Sequence, residues 1–184
     1  MRRLALAIAL LIPVALAGCK KEAAELPPPR KMTADAIGHF CGMNLLEHPG
    51  PKGQILAAGL IEPVWFSSAR DTIAFTMLPD ERKDIQAIYV SDMGKAASWD
   101  NPGPDNWVEA RKAVFVIESR IKGGMGGAET VPFSDRAAAE KFVADNGGRI
   151  VTFADVPRDY VLAAGNDKAN GPSDEDAPAQ GPRD

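Results

Sequence analysis

Glu62-Pro63-Val64-Trp65-Phe66-Ser67-Ser68-Ala69-Arg70 and, 67 positions later, Glu129-Thr130-Val131-Pro132-Phe133-Ser134-Asp135-Arg136 are two versions of one pattern. Glu62, Val64, Phe66 and Ser67 recur as Glu129, Val131, Phe133 and Ser134, and Phe75 recurs as Phe142 at the same offset. In each copy a branched or aromatic side chain alternates with its neighbours at period two, the signature of a short strand. Ser67 and Ser134 stand where a helix N-cap belongs, because a hydroxyl there accepts from the first free backbone N–H groups. Strong helix formers follow in the second copy from Arg136 to Ala144, and Asn146-Gly147-Gly148 stops them with a residue that tolerates the left-handed cap. In the first copy the helix is expected from Asp71 to Leu78, ended by Pro79-Asp80.

Outward from these copies the pattern extends. A strand precedes each one, at Gln54–Leu60 and at Ala113–Ser119. Another follows each one, at Ile85–Val90 and at Arg149–Phe153. Each copy therefore reads β-β-α-β. Two such copies predict an α+β protein with a mostly antiparallel sheet in each half. Residues 32–98 form the first unit. Residues 99–162 hold the second, together with part of an irregular linker that runs from Met93 to Trp107.

The two ends of the chain read differently. Met1-Arg2-Arg3 is a basic start, and Leu4 to Leu16 is apolar but too short to cross a bilayer. This fits the hydrophobic region of an export signal over residues 1–18. Leu16-Ala17-Gly18-Cys19 resembles a bacterial lipobox, which implies cleavage before Cys19 and a lipid on its sulfur. Lys20 after that cysteine favours the outer over the inner membrane. Residues 19–31 contain Pro27-Pro28-Pro29 and read as an extended tether. Residues 163–184 lack aromatic and branched aliphatic side chains and read as a disordered acidic tail. The net charge is −4, and loss of Arg2 and Arg3 makes it −6, which argues against nucleic acid as a partner.

The chain has two cysteines. With lipid on Cys19, only Cys41 remains, so no intramolecular disulfide can form in an oxidising compartment. Met43 lies two residues away. In an extended segment, residues i and i+2 share a face, so thiolate and thioether could converge on one ion. Soft sulfur ligands select Cu(I) among biological metals. The competing reading is a small buried cysteine beside a core methionine. His39 and His48 flank the pair in the pattern H-x-C-x-M-x4-H, and imidazole also suits copper.

Cys41-Gly42-Met43, Tyr89-Val90-Ser91-Asp92-Met93, Gly123-Gly124-Met125-Gly126-Gly127 and Pro132-Phe133-Ser134-Asp135, on an exported lipoprotein, together resemble the NosL family. These are copper chaperone lipoproteins of nitrous oxide reductase assembly. The resemblance covers Phe40 to about Val156. It implies tandem β-β-α-β units related to the organomercurial lyase fold. It also implies one Cu(I) held by Cys41, Met43 and Met125, and a periplasmic location. The implied partners are a NosD-type acceptor and its membrane transporter, on the route to the reductase of denitrification. Met125 among four glycines is a poor core residue and a plausible mobile ligand.

Met77 in the first helix reads as core, Met93 as a residue facing the cleft between units, and Trp65, Trp99 and Trp107 as packing residues. No P-loop, H-E-x-x-H or G-x-S-x-G motif occurs. No catalytic residue is expected and the chain reads as a carrier. Two alternatives stand beside this. One is an enzyme cleaving carbon–metal bonds, which would need a pair of cysteines. The other is a structural or thiol-active lipoprotein, although C-x-x-C is absent.

Overall fold

The computed structural model describes residues 25–162. The stretch read as an export signal, Cys19, and the stretch read as a tail from Ala163 onward lie outside the described residues. Within them, two antiparallel sheets stand where the repeat places them. The first has the order β2-β1-β3-β4, with β1 Gly53–Ala57, β2 Val64–Phe66, β3 Ile85–Ser91 and β4 Trp107–Glu109. The second has the order β6-β5-β7, with β5 Val114–Ile117, β6 Val131–Phe133 and β7 Arg149–Thr152. Every ladder in both sheets is antiparallel. Helix α1 (Ala69–Met77) lies between β2 and β3 in sequence, and α2 (Arg136–Asn146) between β6 and β7. A short α3 (Arg158–Leu162) closes the described chain. Each half is thus β-β-α-β with the middle strand at the edge.

Period-two alternation decides which faces meet. Ile55, Phe66, Ile88 and Val90 of the first sheet and Phe115, Ile117 and Val151 of the second share one core with Ile73 and Phe75 of α1 and Val161 of α3. The intervening residues of the second sheet, Val116, Val131 and Phe133, face Ala139 and Phe142 of α2 on the other side. Met77 packs against the shared core and Met93 against the α2 layer.

Three expectations need correction. The helices are capped one residue later than the repeated serines. Ser68 Oγ accepts from the Asp71 N–H, and the Asp135 side chain accepts from the Ala137 N–H. In Ser67-Ser68 either hydroxyl could cap, and the extended φ −142° of Ser68 selects it. The stretch read as linker also contributes a strand, because Trp107–Glu109 pairs with Tyr89–Ser91 at the edge of the first sheet.

The proline-rich tether is not a free spacer over its described part. Fully buried Gln54 exchanges two hydrogen bonds with the Arg30 backbone, at 2.7 and 2.8 Å. Tyr89 donates its hydroxyl to the Pro27 carbonyl at 2.8 Å, and the Met32 N–H donates to Pro104. Residues 27–32 strap the outer face of the first sheet, where Met32 joins Ala36, Leu45 and Trp65 in a small apolar cluster.

Two of the sequence motifs meet at the junction of the halves. Asp92 is buried at the end of β3. It accepts from the Ser134 N–H at 3.1 Å and the Ser134 hydroxyl at 2.5 Å, and pairs with Lys95. Burial alone would raise its pKa; the bonds from Ser134 and Lys95 outweigh that and hold it below the usual range.

Candidate metal centre

The strap leads directly into the segment that carries Cys41. Ile37 bridges Asn44, and Gly38 pairs with Trp65 beside β2. Between them the chain turns. Gly42 has φ +65°, a left-handed conformation that favours glycine, and its N–H donates to the Gly38 carbonyl at 2.8 Å. Cys41-Gly42-Met43 is therefore a turn, not the extended segment expected from the i, i+2 argument. The turn folds the thiol back toward the Met43 backbone: Cys41 Sγ is 3.9 Å from the Met43 carbonyl oxygen. Gly38 lies under the thiol, since a Cβ at that position would meet Cys41 Sγ at 2.5 Å. No sequence motif points to Gly38, and only the close approach reveals it.

Cys41 is a free, half-buried thiol. It donates to the Ser67 hydroxyl oxygen at 3.5 Å. Ser67 is buried at the end of β2, one residue before the cap of α1. Lys52 reaches the same residue. Its ammonium group donates to the carbonyls of His48 at 2.5 Å, Gly50 at 2.8 Å and Ser67 at 3.5 Å. Burial pulls the Lys52 pKa down to about 8, against the opposing pull of Glu129 and Cys41. Lys52 thus fixes the loop after Met43 to the strand that supports the thiol.

Met125 approaches from the second half. It sits near the tip of a hairpin closed by a Lys122–Ala128 bridge, with Gly123 N–H donating to Gly127 O and Gly126 N–H to Gly123 O. The Gly-rich stretch is a hydrogen-bonded hairpin, and Met125 is 61% exposed on it. The hairpin lies against the first half: a Cβ on Gly124 would come within 3.0 Å of His48 and Pro49 atoms. A cavity of about 70 Å³ separates Met125 from the start of α1, with Ser67, Ser68, Arg70 and Glu129 in its wall. Ser67 is therefore common ground, touching the Cys41 thiol with its hydroxyl and lining the cavity beneath Met125.

Met43 is 37% exposed, and Ile37, Phe40 and Leu46 around it are exposed as well. His39 is not turned to the thiol: its Nε2 pairs with Glu81 at 3.2 Å and its ring packs on Phe40, Phe66 and Phe75. His48 Nε2 is buried without a hydrogen-bond partner. Among the described residues no group of three or more His, Cys, Asp or Glu could hold a metal ion. Thiol and thioether side chains are soft donors suited to copper rather than to hard cations. Cys41 Sγ touches Ser67, Met125 lines the cavity that Ser67 also lines, and Met43 follows Cys41 by two residues. Among the described residues no helix is long and apolar enough to cross a membrane.

Comparison with known proteins agrees with this chemistry. The family model NosL matches residues 29–161. The copper-binding lipoprotein NosL of Achromobacter cycloclastes is 47% identical over 148 residues, covering 80% of this chain and 77% of the relative. The protein of the same name from Stutzerimonas stutzeri is 27% identical over 169 residues, covering 91% and 87%. The crystal structure of the copper chaperone NosL from Shewanella denitrificans aligns with a TM-score of 0.65 at 31% identity, covering 72% of this chain and 98% of that one.

Proposed function

The chain belongs to the NosL family, and from that premise we propose that it is a copper carrier, not an enzyme. It takes Cu(I) as cargo on Cys41, Met43 and Met125. It is exported, held at the membrane by lipid on Cys19, and works in the periplasm. It gives the ion up to the machinery that matures nitrous oxide reductase in denitrification, through a NosD-type acceptor and its transporter.

The observation that carries this reading is the Cys41 turn. A free, half-buried thiol touches Ser67 on a turn that exposed Met43 follows, and exposed Met125 stands on a hairpin packed against the His48–Pro49 loop that Lys52 anchors. Thiolate and thioether donors satisfy a soft monovalent ion, and two or three of them leave room for an incoming ligand. The exposed Ile37, Phe40 and Leu46 give an acceptor an apolar rim to dock on.

The test is an anaerobic competition titration against a chromophoric Cu(I) chelator. Wild-type protein is expected to take one Cu(I) tightly, and Cys41→Ser to lose tight binding while keeping its fold by circular dichroism. An unchanged affinity in Cys41→Ser overturns the site. Transfer is tested separately, by mixing copper-loaded protein with the periplasmic acceptor and following the metal by size-exclusion chromatography. Copper that stays on the carrier overturns the delivery role.

A further inference from the structure

A buried carboxyl group with no part in that ligand set lies between the two sulfur-bearing loops. Glu129 is 1% exposed. Its Oε1 accepts two backbone hydrogen bonds, from Thr130 and from Arg70, both at 2.9 Å. Arg70 is the second residue of α1, whereas Glu129 directly follows the Met125 hairpin. Its other oxygen abuts the base of that hairpin, since a Cβ on Gly123 would come within 2.9 Å of Oε2. The Arg70 side chain supports the same hairpin by donating to the Ala128 carbonyl.

The turn from Ser67 to Arg70 also receives the other loop, through Lys52 on the Ser67 carbonyl and Cys41 on the Ser67 hydroxyl. One short turn therefore carries the thiol on one side and the Met125 hairpin on the other. Burial pushes the Glu129 carboxyl up to about 8, even against two N–H donors, so its presence is costly. An apolar residue would avoid that cost but would leave the Arg70 and Thr130 N–H groups unpaired.

We propose that Glu129 is a positioning residue for copper binding, setting the Met125 hairpin against the Cys41 loop through the Ser67–Arg70 turn. The inference rests on the reading of Met125 as a ligand, and its test separates the two.

Cu(I) affinity is measured by chelator competition on the full chain for Glu129→Ala, Glu129→Gln, Met125→Leu and the Glu129→Ala/Met125→Leu double variant. Glu129→Ala is expected to weaken binding about tenfold, the range for residues that orient a ligand. Glu129→Gln keeps an amide oxygen for both N–H groups and is expected to recover most of that loss. In the Met125→Leu background, Glu129→Ala is expected to add less than about twofold, because it acts through the missing thioether.

Wild-type affinity in Met125→Leu overturns the Met125 reading and the positioning role with it. A weakened Met125→Leu with unchanged Glu129→Ala, or fully additive losses in the double variant, overturns the positioning role alone. Should Glu129→Ala fail to fold, Gly123→Ala replaces it, its methyl group displacing the hairpin from Oε2. The expected loss again vanishes in the Met125→Leu background, and a loss that persists there overturns the proposal.

Discussion

The Cys41 thiol donates to the Ser67 hydroxyl at 3.5 Å, and its repeat partner Ser134 uses its own hydroxyl on Asp92 at 2.5 Å. The same serine of each unit holds a different element. In the first unit it supports the proposed cargo site, and in the second it joins the halves. Ser67→Ala is expected to weaken Cu(I) binding about tenfold. Ser134→Ala is expected to leave copper binding unchanged and to destabilise the protein by about 1–3 kcal/mol, because Asp92 is left buried with fewer donors. Paired chelator titrations and urea unfolding check this. Equal copper affinities in the two variants would remove the distinction.

Lys52 braces the Cys41 loop from inside. Lys52→Met keeps most of the aliphatic stem and removes all three hydrogen bonds. The loop from His48 to Gly50 is then expected to exchange its amide hydrogens faster, with Cu(I) binding weakened about tenfold. Unaltered exchange between His48 and Gly50 would show that the ammonium group is not the brace.

Glu129 gives the protein a pH signature. Its folded pKa, about 8, lies above the ordinary value of 4.5 because burial favours the neutral form. A raised folded pKa contributes stability that is fully present below about pH 4.5 and is lost as pH rises through about 8. Glu129→Gln has no proton to lose. Its thermal midpoint relative to wild type is therefore expected to climb between pH 5 and pH 8. A difference that stays flat across that interval contradicts the burial argument.

The strap depends on two side chains. Gln54→Ala removes both bonds to Arg30 and is expected to cost about 1–3 kcal/mol, whereas Tyr89→Phe removes one bond to Pro27 and costs about 1 kcal/mol. Limited proteolysis near Arg30 and Lys31 is the direct readout. Cleavage there should accelerate in both variants, and wild-type resistance in Gln54→Ala would show the strap is held by something else.

The β-β-α-β order was legible because Val64, Phe66, Val131 and Phe133 alternate and because Asn146-Gly147-Gly148 ends α2 where φ turns to +71°. What stayed hidden depends on contacts distant in sequence. Nothing in Pro27-Pro28-Pro29-Arg30 announces that Tyr89 binds Pro27 and Gln54 binds Arg30, since those partners lie 62 and 24 residues away. Three-residue β4 has no second copy to mark it, unlike β2 and β6, which are as short. Cys41 and Met43 were legible as a pair of soft donors, but the turn at Gly42 was not, because a glycine permits both an extended and a left-handed backbone. Glu129 stood out only as a repeat match to Glu62. That match concealed a difference, as Glu62 is exposed and Glu129 is buried.

The docked strap also sets a leash. Cys19 and Pro27 are eight residues apart, and a fully stretched chain gains about 3.5 Å per residue. Lipid on Cys19 would then leave the body a radius of about 28 Å, against about 45 Å for a leash running free to Met32. Swept volume scales with the cube of that radius, so strapping shrinks the accessible space about fourfold and raises the effective concentration seen by a partner embedded in the same bilayer. Partners standing far from the surface would be out of range, so the strap would act as a spatial filter on who receives the metal.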